Sequence, residues 1–449
     1  MTAQHGSYRP VSGWLEQPPV LQPELDGEVT ADVVVVGAGF AGLSTALELA
    51  STGANVVILE QHFAGFGASG RNAGYLGGGH GLEHDLFLKR VGMDQARKII
   101  RFYQTGVSYV EEKLDKLGID CDYRATGNIK AGIHPSQEKK LRHNMQVDIE
   151  LGAPAQFLDR GDMRARGIPP AFQFGYLMNN GGTLDPGKYV MGLRRTAIAA
   201  GVRLYENSAL LSYSDGATIT CYTAKGRVHA RFLVFATNAF TPQLGLLQDK
   251  IATMRVSAIE TEPLSPEQLS SLGWPNREGI ITSHLVMESH RLTERNSLVI
   301  TTKRLRYMRR GQTPNVPDER AYRALTVALR DRFPTLNTLG VKFCWSGYIS
   351  FAHDALPVVG ETGAQQNIFY TAGCSGHGVG TQSFIGRLLA DRIRGAENEH
   401  LAALRHKTPS VLPEPLEWGV MSSVLGAAHK LDDWVNRKAR SSAKTARAG

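Results

Sequence analysis

The stretch VVVVGAGFAGLSTALELASTGANVVILE, from Val33 to Glu60, constrains the fold of this chain more than any other. Val33–Val36 is a short, wholly apolar run, the pattern of a strand buried on both faces. Gly37-Ala38-Gly39-Phe40-Ala41-Gly42 follows, and Leu43, Ala46, Leu47 and Ala50 then recur at helical spacing until Gly53 closes the helix. Asn55–Leu59 reads as a second strand with Glu60 at its end. A GxGxxG loop alone is a weak signal. Between a strand and a helix, with an acid about 20 residues further on, it predicts a βαβ dinucleotide site. Gly37 allows the tight turn, Gly39 lets the backbone approach a pyrophosphate, and Gly42 lets the helix pack closely on the strand. The helix N-terminus offers free N–H groups and a positive dipole end to the phosphates. Glu60 is placed to accept hydrogen bonds from ribose hydroxyls. It would repel a 2′-phosphate, which argues against NADP.

The bulk numbers exclude several classes. A chain of 449 residues, 42% hydrophobic and 20% charged, predicts a soluble protein of two domains or one large composite domain. The net charge of +8 is concentrated at the end: Arg437, Lys438, Arg440, Lys444 and Arg447 lie in a Ser/Ala-rich tail, and without them the rest carries +3. Residues 436–449 are therefore expected to be a disordered basic tail. Lys303, Arg304, Arg306, Arg309 and Arg310 form a second basic cluster. It lacks any reader motif, so no nucleic-acid partner is expected. The four cysteines are scattered with no CxxC, which predicts neither disulfides nor a metal site and fits a cytoplasmic location. No apolar run approaches the ~20 residues of a membrane span. Leu416–Val435 reads as an amphipathic helix expected to dock on the body; membrane contact through it is the less favoured option.

Two later stretches bear on which nucleotide is held. RFLVFATNAF (Arg231–Phe240) is an apolar strand running into Ala-Thr-Asn, and GETGAQQNIFYTAGCSGHGVG (Gly360–Gly380) ends in a glycine-rich turn before a helix at Thr381–Arg394. No second GxGxxG with its strand exists, so a separate NAD(P)H domain is not expected. Taken with GASGRNAG (Gly67–Gly74), these motifs resemble the D-amino-acid-oxidase-type flavoproteins. Within them the chain is most similar to the glycine/D-amino-acid oxidase-like and gamma-glutamylputrescine oxidoreductase-like branch, over roughly residues 14–425. The resemblance implies a mixed α/β fold: a Rossmann-like FAD-binding domain with a β-sheet-rich substrate domain. The expected boundaries are a lead-in at 1–29, an FAD-binding domain from 30–84, 143–250 and 342–405, a substrate domain from 85–142 and 251–341, and a helical extension at 406–435.

The resemblance also implies the cofactor residues. The fingerprint supplies Gly37, Gly39, Phe40, Ala41 and Gly42; Glu60 and Gln61 belong to the adenosine ribose. Ser69, Gly70, Arg71, Asn72, Ala73 and Gly74 pass along the pyrophosphate and flavin. Thr237 and Asn238 come from FATNAF. Ser375, Gly376, His377, Gly378 and Val379 bring backbone N–H groups to the N1/O2 edge of the flavin. Some members of the family tether the flavin to a cysteine; the matching position here is Gly347, with Cys344 three residues away, so noncovalent FAD is expected.

For the substrate, Arg255 and Arg291 are candidates for holding an anion, Tyr348 and Phe351 for a pocket wall, and His353 for tuning amine protonation. The function implied is oxidation of a primary or secondary amine or amino acid by hydride transfer to flavin N5, giving an imine that hydrolyses, with oxygen, a quinone or another carrier as electron acceptor. An FAD-dependent hydroxylase, an alcohol or hydroxy-acid oxidase, and an assembly subunit with structural FAD remain alternatives.

Overall fold

The computed structural model describes residues 6–79 and 83–448, of which 443–448 are described as backbone. β1 (Gly27–Val36) runs into α1 (Phe40–Ala50) and the chain returns as β2 (Val56–Leu59). A long helix, α2 (His84–Lys116), kinks at Gly92, where φ is 77°. β3 (Gly226–Phe235), β4 (Ala252–Thr261), β5 (Glu288–Leu292), β6 (Leu298–Thr302) and β7 (Val341–Phe351) follow, with shorter elements between them. β8 (Ile368–Ala372) then leads into α3 (Gly378–Ile393), and α4 spans Leu416–Ala448.

Among the described residues the strands gather into an eight-stranded sheet, a ten-stranded sheet and a two-stranded ribbon. The first sheet has a parallel centre in the order 203–205, β2, β1, β3, β8. Val33–Val36 pairs with β2 on one side and β3 on the other, which is why the run is apolar on both faces. α1 and α3 pack together on this sheet, and α2 packs on α3. The second sheet runs β7, β4, β6, β5 and continues through 279–282, 128–132, 174–178 and 155–158. The β4–β7 ladder is antiparallel and places Arg255 opposite Tyr348. A helix at Glu319–Arg332 buries Tyr322, Leu325 and Leu329 in the core cluster that this sheet shares.

The structure departs from the sequence reading in three places. Strands within 155–178 and residues 342–351 of β7, assigned above to the nucleotide half, belong to the ten-stranded sheet. The alternation of SLVITTKRLRYM, Ser297–Met308, reads in the sequence as a continuous strand that carries part of the basic cluster, but β6 stops at Thr302, because Thr302 and Lys303 take positive φ. The cluster's charges are matched by acids: Lys303 pairs with Glu288, Arg304 with Asp433, Arg306 with Asp318 and Arg309 with Glu414. The tail is not disordered, since α4 continues through it to Ala448; Gly449 lies outside the described residues. Asn436 is buried and accepts from Arg332, and Arg440 pairs with Asp331 at 2.7 Å. No helix among the described residues is long and apolar enough to cross a membrane.

Candidate active site

A cavity of about 1100 Å³ lies between the two sheets, reaching from the Gly37–Gly42 turn to the face of β4 and β7 and on to α4. At one end, Gly37 (φ 100°) makes the turn out of β1. Gly42 packs where no side chain fits: a Cβ there would stand 1.9 Å from the Gly37 carbonyl oxygen. The N-termini of α1 and α3 both open onto the cavity, and neither Gly39 nor His377, which occupy their caps, closes the helix end with a side chain. Two positive helix ends thus face one space, an arrangement suited to a ligand with negative charge at two places.

Glu60 lines the same end. Its carboxylate accepts from the Ala38 N–H at 2.8 Å and the His62 N–H at 3.0 Å. Burial outweighs those bonds and pushes its carboxyl up to about 7. A carboxyl raised in this way contributes stability below its ordinary value and loses it as pH rises through about 7. Hydroxyl donors from a ribose reverse the balance by favouring the charged form. The apoprotein is therefore expected to bind FAD more tightly as pH rises toward 7, by up to about tenfold per unit, and to level off above. Quenching of FAD fluorescence across pH 5.5–8.5 measures this. A flat profile, or the same profile in Glu60→Gln, removes Glu60 from the site.

The loop 69–74 is held on all sides. Trp14 Nε1 donates to the Asn72 carbonyl at 2.9 Å, Trp345 Nε1 to that of Arg71 at 3.0 Å, and the Ser12 hydroxyl to that of Gly70 at 2.6 Å. Asn72 Nδ2 binds the Ala68 and Ser69 carbonyls, and its Oδ1 accepts from the Gly74 N–H. The Ser69 hydroxyl accepts from the Phe40 N–H at 2.9 Å, which joins this loop to the start of α1. Arg71 donates to the carbonyls of Phe66 and Ser346 and lies over the Phe66 ring; burial lowers its guanidinium to about 10.

The structure brings most of the expected cofactor residues together. Gly37, Gly39, Phe40, Ala41, Glu60, Gln61, Ser69, Arg71, Asn72, Ala73, Thr237, Asn238, Gly347 and the Ser375–Val379 turn all line the cavity. Gly42, Gly70 and Gly74 do not; they shape the loops behind it. Gly347 makes room for the Arg71 stem, since a Cβ would come within 3.1 Å of it. Cys344 faces away, donating to the Gly6 carbonyl, whereas Cys374 lines the cavity with its thiol raised by burial.

The substrate candidates divide. Tyr348 and His353 line the cavity, with His353 Nε2 at 2.9 Å from the buried Glu417 carboxylate of α4. Phe351 lines it too. Arg255 and Arg291 do not, which corrects their expected role. On β4 the cavity side belongs to Met254, Val256 and Ala258, so Arg255 points to the other face, donating to the Val316 carbonyl beside Asp318. Arg291 is spent on the carbonyls of Ala73, Gly74 and Leu184, where it clamps the 69–74 loop. Sequence reasoning missed the cavity wall contributed by α4, although the apolar spacing of Val420, Val424 and Leu431 was the signal for it.

The two sheets and the cavity between them define a flavin-dependent oxidoreductase. The chain belongs to the FAD dependent oxidoreductase (DAO) family, whose pattern matches residues 32–392. It is 30% identical over 411 residues to gamma-glutamylputrescine oxidoreductase of Escherichia coli (strain K12), covering 90% of this chain and 93% of that one. Its fold is similar to that of glycine oxidase from Geobacillus kaustophilus (TM-score 0.69, 21% identity, 82% of this chain and 96% of the other). It is also similar to that of L-proline dehydrogenase from P. horikoshii (TM-score 0.69, 20% identity, 83% and 96%). The residues present fit FAD: two open helix ends for the pyrophosphate and the flavin edge, and a buried carboxylate for the ribose.

Proposed function

We propose that this enzyme oxidises the C–N bond of a primary or secondary amine, with FAD held noncovalently between Glu60, the 69–74 loop and the Ser375–Val379 turn. Bound there, FAD supplies a hydride acceptor at N5 for the substrate carbon, and the resulting imine hydrolyses in water. The observation that carries the reading is the character of the cavity: beyond Glu60 and Arg71, no Asp, Glu, Lys or Arg among the described residues lines it. An ammonium ion finds no counter-charge in such a place, so the cavity selects the neutral amine, the form able to lose hydride. Phe351, Ile349 and Met254, which share one face of the β4–β7 ladder, exclude water from one wall and orient the substrate, while the Tyr348 ring lies on the Arg255 face. Glu417 accepts the Nε2–H of His353 and fixes its ring, which leaves Nδ1 as a hydrogen-bond acceptor. The named substrate of the Escherichia coli relative, an amine, supports the same class.

Anaerobic stopped-flow absorbance tests the reading. Amines are expected to bleach the bound flavin with no nicotinamide present, at a rate that rises with pH as the amine deprotonates. Bleaching by hydroxy acids alone, or by NADPH alone, would transfer the assignment to an alcohol oxidase or a hydroxylase.

A further inference from the structure

The outer half of the cavity has a wall that the family match does not cover. The matched region ends at residue 392, whereas α4 begins at Leu416. From α4, Val420, Met421, Val424, Leu425, Ala428 and Leu431 line the cavity, at a spacing that keeps them on one helical face. Ile281, Leu285, Val286 and Met287 face them, with Leu305 and Leu86 nearby. The polar groups here are few: the Ser289 and Thr301 hydroxyls hydrogen-bond to each other, and Thr302 bonds to Thr301. Glu288, between Met287 and Ser289, turns to the other face and is bound by Arg332 and Lys303.

This wall is pinned in place. The Glu417 carboxylate accepts from His353 and from the Leu412 N–H. Asp432 accepts from the N–H groups of Leu285 and Val286 at 2.8 Å each, and both oxygens of Asp433 accept from Nη2 of Arg304. Polar links thus hold α4 on both sides of the apolar stretch, and the stretch itself spans the cavity. At the mouth, Leu86, Leu285, Val424 and Leu431 line the cavity yet stay 56–60% exposed. Large apolar side chains left in water around an opening are stabilised by an apolar occupant.

We infer that the outer cavity is a subsite for an uncharged, apolar substituent of the amine, with the Val420–Leu431 face of α4 as its specificity-determining wall. The inference rests on the amine reading for the reacting end alone. It replaces the anionic substrate that Arg255 and Arg291 suggested in the sequence, because neither guanidinium reaches the cavity.

The test uses holoenzyme and two ligand series. With n-alkylamines from propyl to octyl, kcat/KM for flavin reduction is expected to rise about fourfold per methylene until the chain passes the mouth. With 1-butanol, 1-hexanol and 1-octanol, perturbation of the flavin absorbance should show affinity rising in the same steps. Val424→Asp should cut the octyl-to-propyl ratio at least tenfold while flavin content shows the fold intact. Ser422→Asp, which puts the same charge on the exposed face, should leave the ratio unchanged. Chain-length dependence with the alcohols, but no reduction by any amine, would keep the subsite and sink the amine reading. A flat series, or preference for amino acids and diamines over alkylamines, overturns the subsite. So does flotation of the enzyme with vesicles of phosphatidylglycerol and phosphatidylcholine together with a flat series, because the mouth would then serve a membrane surface.

Discussion

Gly42→Ala is expected to yield a chain that binds FAD at least about a hundredfold more weakly, or is purified colourless. The added Cβ would meet the Gly37 carbonyl oxygen at 1.9 Å and Val35 Cγ1 at 3.2 Å. The first of these is backbone, so no rotamer change relieves it. α1 must lift from β1, and the turn that points its N–H groups at the phosphates moves with it. Overpacking of this kind costs about 1–3 kcal/mol in stability, and the misplaced helix end loses phosphate contacts besides. Gly53→Ala is the control. Nothing lies within 4 Å of its Cβ, so its cost is confined to the positive φ of 85°, about 1 kcal/mol, with flavin retained. The ratio of flavin to protein absorbance reads both variants. A fully loaded Gly42→Ala enzyme contradicts the clash.

The second large effect is expected at Glu288. Its carboxylate is buried between Arg332, at 3.0 Å from Nε, Lys303, and His290 at 3.3 Å. Burial works to raise its carboxyl, but the charges of Arg332 and Lys303 prevail and hold it well below the usual carboxylate range. A lowered folded value means stability that is present above the unfolded value and is lost only as pH falls through the folded one. At neutral pH the whole contribution is in place. Glu288→Gln leaves two buried cations without their counter-charge and should cost about 3–5 kcal/mol. Arg332 also donates to Asn436, so the loss should loosen α4. Urea unfolding at pH 7.5, with flavin in excess, should show a large drop in midpoint. Asp331→Asn, at the partly exposed pair with Arg440, should cost under about 1 kcal/mol. Equal shifts for the two would show that the Glu288 cluster is not the anchor its geometry indicates.

The nucleotide end of the enzyme was legible before any coordinates, and the substrate end was not. Glycine, acid and apolar run between Val33 and Glu60 act through local geometry: a turn that needs positive φ, a helix that starts where the turn ends, a strand that carries its last residue to the same edge. Such a segment dictates its own shape, so its ligand follows from spacing. The 69–74 loop and the Ser375–Val379 turn were recognised only through their resemblance to the family's motifs. Arg255 and Arg291 were misassigned because alternation says that a side chain lies on one of two faces without saying which face meets the cavity. Partners far along the chain settle that: Asp318 and Val316 for the first, the Ala73, Gly74 and Leu184 carbonyls for the second. The basic tail was misread in the same way. Its composition has little to bury, yet Asp331 and Arg332 supply acid and donor from a helix about a hundred residues earlier. The apolar wall of α4 over the cavity likewise exists only once Asp432, Asp433 and Asn436 have found Leu285, Val286, Arg304 and Arg332. Local backbone preference shaped the nucleotide site; long-range pairing of buried charge and apolar surface chose the shape offered to the substrate.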